Sequence, residues 1–357
     1  PGNVGSDETL AEVVDGPART IYHGIDPSAD SAHAGNLVIW MLLRHLAAAG
    51  HKIVFLVGGG TGLIGDPKPD SERTLQDPAV VEANVAKIRA QAEHFIGSVG
   101  GEVVFVNNHD WLGGLQLIDF VRDIGKHFTV NELIKKDAIA TRLGSEVGLS
   151  YTEFAYPLLQ AYDYLQLYRT HGCEVQIGGS DQWGNMVAGV DLIRRLEQAT
   201  VYAITTPLIV DTTTGTKFGK SEGNAVWLDA KQTSPYAFYQ FWLNQNDDDV
   251  IDHLKRYTML PLSEIEAIRE LHQNDPGSRR AQRTLAREVT ALVHTESAAK
   301  AAEEVSALLF GAGNLGDLDA EARDMLIANA PVTSVVPGTL VRDVLVSSGL
   351  AASGREA

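Results

Sequence analysis

One cysteine, Cys173, stands in 357 residues. That excludes internal disulfides and any zinc cluster built on cysteine, and it suits a reducing compartment, where a small buried strand residue is the expected role. Long apolar runs are missing too: none reaches the roughly 20 residues that span a bilayer. The opening PGNVGSDETL does not read as a signal peptide, so the expected setting is cytoplasmic, with no membrane partner. Basic residues are in short supply, 29 Lys and Arg against 46 Asp and Glu, and the net charge of −17 argues against a surface that binds nucleic acid everywhere. A local basic face stays open. In SRRAQRTLAREV, Arg280, Arg283 and Arg287 fall at helical spacing beside Arg279, although a solvated helix face is the commoner meaning of that pattern. What is present is ordinary globular composition, 44% hydrophobic and 21% charged, in a chain long enough for two or three domains.

Up to about residue 210, apolar runs alternate with amphipathic helical stretches: KIVFLV, VVEANVAKIRAQAEHFI, GEVVFVN, then CEVQIGG before DQWGNMVAGVDLIRRLE. The alternation predicts an α/β fold with a doubly wound parallel sheet. Between roughly 110 and 170 the pattern is mainly helical and reads as an insertion between two halves of the sheet. After about 233 it is helical throughout, which predicts a second, α-helical domain. The expected organisation is therefore 1–232, 233–311, and a final 312–357 that reads as a linker.

VGGGTGLIGDP, residues 57–67, follows the first of these runs and carries the spacing Gly60-Thr61-Gly62-Leu63-Ile64-Gly65 of a dinucleotide-binding loop. That fingerprint needs a helix opening at the third glycine to hold a pyrophosphate. Pro67 and Pro69 restrict the residues before them and predict a turn there instead, which counts against an NAD oxidoreductase.

Four stretches carry groups suited to chemistry. In YHGIDPSADSAHAGN, His33 and Asn36 precede the apolar helix from Leu37 to Ala49; a helix N-terminus favours phosphate, and His33 could add a donor, while a plain cap and a surface histidine are the simpler roles. In KFGKS, Lys217 and Lys220 flank Phe218-Gly219 in a Gly/Thr/Ser-rich loop, where two ammonium groups could neutralise a leaving pyrophosphate or simply mark an exposed turn. SYTEFAYPLLQAYDYLQLYRTHG opens with Ser150 and Glu153 at capping-box spacing, and Tyr156, Gln160 and Asp163 then share one helical face. Such a face can bind a small polar molecule or pack as core. QIGGSDQWGN runs from a strand through two glycines to a helix that Ser180 or Asp181 could cap; Asp181 could alternatively bind a ribose hydroxyl.

Taken together, HAGN and KFGKS resemble the HIGH and KMSKS signatures of class I aminoacyl-tRNA synthetases. With LVGGGTGLIGDP, SERTL, IGKHFTVN, YTEFAYPLLQAYD, QIGGSDQWGN and TSPYAFYQFW, the chain resembles the bacterial-type tyrosyl-tRNA synthetases from about Asp7 to its end. The resemblance implies a Rossmann-like catalytic domain, an α-helical domain for the anticodon arm of tRNA(Tyr), and in TLVRDVLVSSGLAASGREA the start of a small RNA-binding domain that the chain does not complete. It implies L-tyrosine, ATP carrying Mg²⁺ and tRNA(Tyr) as substrates, no tightly bound cofactor or metal ligand set in the protein, and a homodimer through the segment near 110–150.

Carried over by resemblance, Tyr22 and Asp163 would hold the phenolic hydroxyl. Tyr156, Gln160 and Asp66 would hold the α-amino group, with Gly24, Asp26, Asn108 and Gln176 in the same pocket and Gln182 near the carboxylate. Ser28, His33, Gly35, Asn36, Gly179, Asp181, Lys217, Lys220 and Ser221 would contact ATP, with Arg73 and Lys68 on a mobile loop near pyrophosphate. Catalysis would be positioning and charge stabilisation by His33, Asn36, Lys217, Lys220 and Arg73, with no protein nucleophile. A site that bonds a substrate hydroxyl rejects the analogue lacking it, a rule for which tyrosyl-tRNA synthetases are themselves the standard illustration. HAGN departs from HIGH by placing a neutral amide where the last histidine stands. Two other readings are a tryptophanyl enzyme, disfavoured because an indole offers one N–H and nothing for two hydroxyl partners, and a non-catalytic relative, disfavoured by the cationic loop.

Overall fold

Apolar runs become the strands of one parallel sheet in the order β3-β2-β1-β4-β5: β1 is Thr20–Ile25, β2 Lys52–Val57, β3 Val103–Asn107, β4 Cys173–Gly179 and β5 Tyr202–Thr206. The computed structural model describes residues 9–67, 71–144, 146, 148–209, 220–221, 224–311 and 313–357. Strand β1 lies mid-sheet, with Tyr22 beside Val54 of β2 on one side and Gln176 of β4 on the other. The chain runs outward from β1 through β2 to β3 and then returns to β1's other edge with β4. The order therefore reverses between β1 and β4, and a crevice opens beyond their carboxyl ends, the place where doubly wound sheets bind ligands.

Helices close both faces of the sheet because their ends are specified. Asp77 accepts from the Ala79 N–H at 2.8 Å and Pro78 starts the helix Pro78–Gly97. Trp40 of the helix Leu37–Ala48 stands edge-on to Phe55 of β2, ring centres 5.5 Å apart, and tilts against Phe95 at 5.9 Å. Ser150 caps Tyr151–His171, which stops at Gly172 in the left-handed region, φ 64°. The Tyr164 hydroxyl of that helix donates to the carbonyls of Glu174 and Tyr202, tying it to β4 and β5. Trp183–Glu197 then packs beside it. Between β3 and β4 the described chain holds only helices and turns, His109–Leu112, Leu117–Asp119, Val130–Leu133 and Asp137–Leu143 preceding the long one.

The glycine run after β2 makes a single 3-10 turn, Thr61–Leu63, and Gly65 takes φ 83°. Among the described residues no helix opens there; the next begins at Pro78. Among those residues the loop therefore has no helix start of the kind an NAD-type pyrophosphate cradle uses; Pro69 lies outside them.

The chain divides into two compact units, Pro1–Gln232 with Asp252–Leu262, and Thr233–Ile251 with Ser263–Ala357. In the second, Pro235–Leu243, Arg280–Val293, Glu296–Leu309 and Ala320–Asn329 pack around Phe238, Trp242, Leu285, Val289 and Val305. Packing continues past residue 311, where the sequence reads as linker: Leu318 and Ala322 are buried against Ala301 and Val305. Periodicity across so short a helix is too weak to announce this. Among the described residues no helix is long and apolar enough to cross a membrane.

Candidate active site

A cavity of about 530 Å³ opens where β1 and β4 part, walled by the ends of both strands and by one face of the helix Tyr151–His171. Tyr156, Gln160 and Asp163 line it together, as their spacing requires. At its inner end the Tyr22 hydroxyl is buried without a hydrogen-bond partner among the described residues, and its ring leans on Tyr164 at 5.1 Å. Asp163 is 3% exposed. Its Oδ2 accepts from Asn108 Nδ2 at 2.9 Å and its Oδ1 from Trp111 Nε1 at 2.7 Å. Burial pushes the Asp163 carboxyl up to about 7 against the pull of these two donors, and burial with the nearby Asp163 raises the Tyr22 phenol well above its ordinary value. The Oε1 atoms of Gln160 and Gln176 are also buried and unpartnered. Leaving such groups unmatched is costly, so this end is complementary to a ligand that brings a hydroxyl and N–H donors.

Further out the wall is acidic. Asp26 accepts from Thr61 Oγ1 at 2.6 Å and from the Tyr156 hydroxyl at 2.7 Å. Asp66 accepts from Gln182 Nε2 at 2.8 Å and Asn185 Nδ2 at 3.1 Å. Burial raises both carboxyls, that of Asp66 to about 6, with Asp26 adding repulsion and the Arg73 guanidinium opposing it. Carboxylates held this way gain from an ammonium group. The glycine run is what lets backbone come so near: a Cβ on Gly58 would lie 2.1 Å from Asp26 Oδ1 and 2.4 Å from Thr61 Oγ1.

At the mouth, the side chains of His33 and Asn36 close one turn. His33 Nδ1 accepts from the Gly35 N–H at 3.0 Å, and Asn36 Oδ1 accepts from the His33 N–H at 3.0 Å. The neutral imidazole therefore carries its proton on Nε2, a donor, and Asn36 retains its amide hydrogens. Asn36 makes no side-chain cap on the helix Leu37–Ala48; it closes the turn before it. Ser28, Gly35, Arg73, Gly179 and Asp181 also line the cavity.

The chain matches the family "tRNA synthetases class I (W and Y)" over residues 16–311. It is 50% identical to the tyrosine–tRNA ligase of Leifsonia xyli subsp. xyli over 359 residues, covering 99% of this chain and 80% of that one. The Streptomyces griseus subsp. griseus tyrosine–tRNA ligase is 49% identical over 97% of this chain and 82% of its own. The chain belongs to the tyrosine–tRNA ligase family. Among solved structures, a C-terminally truncated mitochondrial tyrosyl-tRNA synthetase of Aspergillus nidulans superposes with a TM-score of 0.75 at 31% identity, covering 82% of this chain and 86% of that one.

Set against the residues that resemblance to tyrosyl-tRNA synthetases selects, the cavity gathers Tyr22, Gly24, Asp26, Ser28, His33, Gly35, Asn36, Asp66, Arg73, Tyr156, Gln160, Asp163, Gln176, Gly179, Asp181 and Gln182. Asn108 is not on its wall. Fully buried, it donates to Asp163 and to Thr61 Oγ1 and accepts from the Gly60 N–H, so it stands behind the pocket. Lys217 and Lys68 lie outside the described residues; Lys220 and Ser221 form one strand of a two-residue hairpin against Asn224–Ala225. Neither Ser180 nor Asp181 caps the helix that follows, which leaves the Asp181 carboxylate to the cavity. Glu153 departs from the capping box, because Arg142 takes its carboxylate.

Sequence reasoning passed over His23, Thr61, Trp111 and Asn185. His23 lines the cavity, and its Nδ1 donates to the Ile177 carbonyl at 3.0 Å; burial lowers it to about 4, so it is a neutral ring with Nε2 as acceptor. Trp111 carried a usable signal, since an indole N–H in a partly buried helix after a strand needs an acceptor.

Proposed function

We propose that this cavity activates L-tyrosine with ATP and transfers it to tRNA(Tyr). The observation that carries the reading is the inner end, where the unpartnered Tyr22 hydroxyl and the doubly anchored Asp163 await a hydroxyl. In this reading the phenol lies between Tyr22 and Asp163, and the ammonium group meets Asp66, Gln160 and Tyr156, with Asp26 holding Tyr156 in place. A carboxylate oxygen of tyrosine, near Gln182, attacks the α-phosphorus of ATP. The bond from that phosphorus to the bridging oxygen breaks, and pyrophosphate leaves with the electron pair. A ribose hydroxyl at the tRNA terminus then attacks the carbonyl carbon of the tyrosyl-adenylate; AMP leaves and the hydroxyl proton passes to solvent.

ATP enters with Mg²⁺ as part of the substrate. Protein groups supply position and charge: His33 Nε2–H, the Asn36 amide, Arg73, Lys217 and Lys220 meet the phosphates, and Asp181 meets the ribose. Outside the cavity, Arg280, Arg283 and Arg287 are exposed opposite the buried face of their helix, which supports a tRNA contact for the second unit. Leu117, Ile118, Val121, Val130, Leu143 and Tyr151 are exposed, which supports a homodimer through the segment near 110–150.

The test is tyrosine-dependent exchange of labelled pyrophosphate into ATP without tRNA, with phenylalanine and tryptophan in parallel. Exchange with tyrosine alone is expected. No exchange from folded protein that binds tyrosine would remove the catalytic reading.

A further inference from the structure

A buried ion pair lies outside the cavity lining. Arg142, on the helix Asp137–Leu143, and Glu153, in the first turn of Tyr151–His171, have side chains 0% and 2% exposed. Arg142 Nη1 and Nη2 donate to Glu153 Oε1 and Oε2 at 3.2 and 3.1 Å. A buried pair contributes little net stability over apolar residues of the same size, so its presence asks for another reason. The same atoms reach backbone elsewhere. Arg142 Nη1 donates to the Ser71 carbonyl and Nη2 to that of Gly148 at 2.6 Å, while Glu153 Oε1 accepts from the Arg73 N–H at 3.3 Å.

The segment from Ser71 to Gln76 has no helix or strand of its own. Its backbone must be bonded from outside, and the buried pair holds it at Ser71 and at Arg73. From that fixed point the Arg73 side chain turns to the cavity. Its stem lies against Gly65, where a Cβ would be 3.1 Å from Arg73 Cγ, and its Nε donates to the Asp66 carbonyl at 2.7 Å.

We infer that the Arg142–Glu153 pair is a positioning device that fixes the Ser71–Arg73 backbone and so sets the Arg73 guanidinium at the ATP end of the cavity. The inference rests on the reading of that end as the phosphate site. In that reading tyrosine is held mainly by the strand ends, Tyr156 and Asp163, none of which the pair bonds, so disturbing the pair should weigh on ATP more than on tyrosine.

The experiment compares the parent with R142M/E153M, R142K and R73Q, measuring thermal stability, tyrosine Kd, and the KM for ATP and kcat of pyrophosphate exchange. The double variant replaces the pair by apolar residues and should fold and keep its tyrosine Kd. Its KM for ATP should rise by about tenfold, within what a small misplacement of a positioning group costs. R142K keeps the charge and part of the bonding and should fall between the double variant and the parent; it also serves if the double variant does not fold. Parent-like ATP kinetics in R142K and in a folded R142M/E153M, beside a raised KM in R73Q, would overturn the positioning role. An unchanged KM for ATP in R73Q would instead show that the phosphate site has been misread.

Discussion

The inner and outer ends of the cavity are built on different supports. Tyr22, Gln176 and Asp163 sit buried on β1, β4 and a capped 21-residue helix, and Asn108 and Trp111 brace Asp163. His33, Asn36 and Arg73 sit on turns between elements, and their geometry comes from a few side chain to backbone bonds. Rigid elements suit discrimination between amino acids that differ by one oxygen. Loops suit a polyphosphate that must be bound, rearranged and released.

His33→Ala should break the contrast most strongly. Removing one preorganised donor is expected to lower kcat for pyrophosphate exchange by about 10²–10³, with tyrosine Kd, read by calorimetry, within about twofold of the parent. At the inner end, Tyr22→Phe should reduce the preference for tyrosine over phenylalanine by about tenfold to a hundredfold in exchange kcat/KM, the range for one hydrogen bond in a buried polar site, with the KM for ATP unchanged.

The pH dependence of tyrosine binding sharpens the boundary between the ends. Asp66 pairs with the ammonium best when ionised, and burial raises it to about 6. Tyrosine affinity should therefore fall as pH drops through that value, and Asp66→Asn should remove this acid limb, both followed by calorimetric titration. The smallest effect concerns stability. Burial raises Asp163 to about 7, so the stability tied to its protonated form is fully present below its unfolded value and is lost as pH rises through about 7. The Tm difference between Asp163→Asn and the parent should accordingly move in the variant's favour between about pH 5 and about pH 8.

The two ends were also unequally legible in the sequence. Apolar runs placed β2, β3 and β4, and a seven-residue spacing put Tyr156, Gln160 and Asp163 on one face, because strand and helix periods are local. Pro67 signalled that the glycine run opens no helix. The bonds that assemble the site are not local: Tyr156 reaches Asp26 across 130 residues and Gln182 reaches Asp66 across 116. A capping rule lost to a more distant partner at Glu153, taken by Arg142, while Asn36 closes the local turn with His33, three residues before it, in place of capping the long helix. Asn108 was selected through resemblance as a ligand contact; only its burial behind Asp163 places it a layer further back.

Equilibrium binding of tyrosine and of phenylalanine to the parent protein, by calorimetry without ATP or tRNA, tests the central claim most directly. Tyrosine should bind at least about tenfold more tightly, the consequence of matching the buried Tyr22 hydroxyl and Asp163. Equal affinities would mean that these two groups do not read the hydroxyl, and the assignment of the inner end would fail.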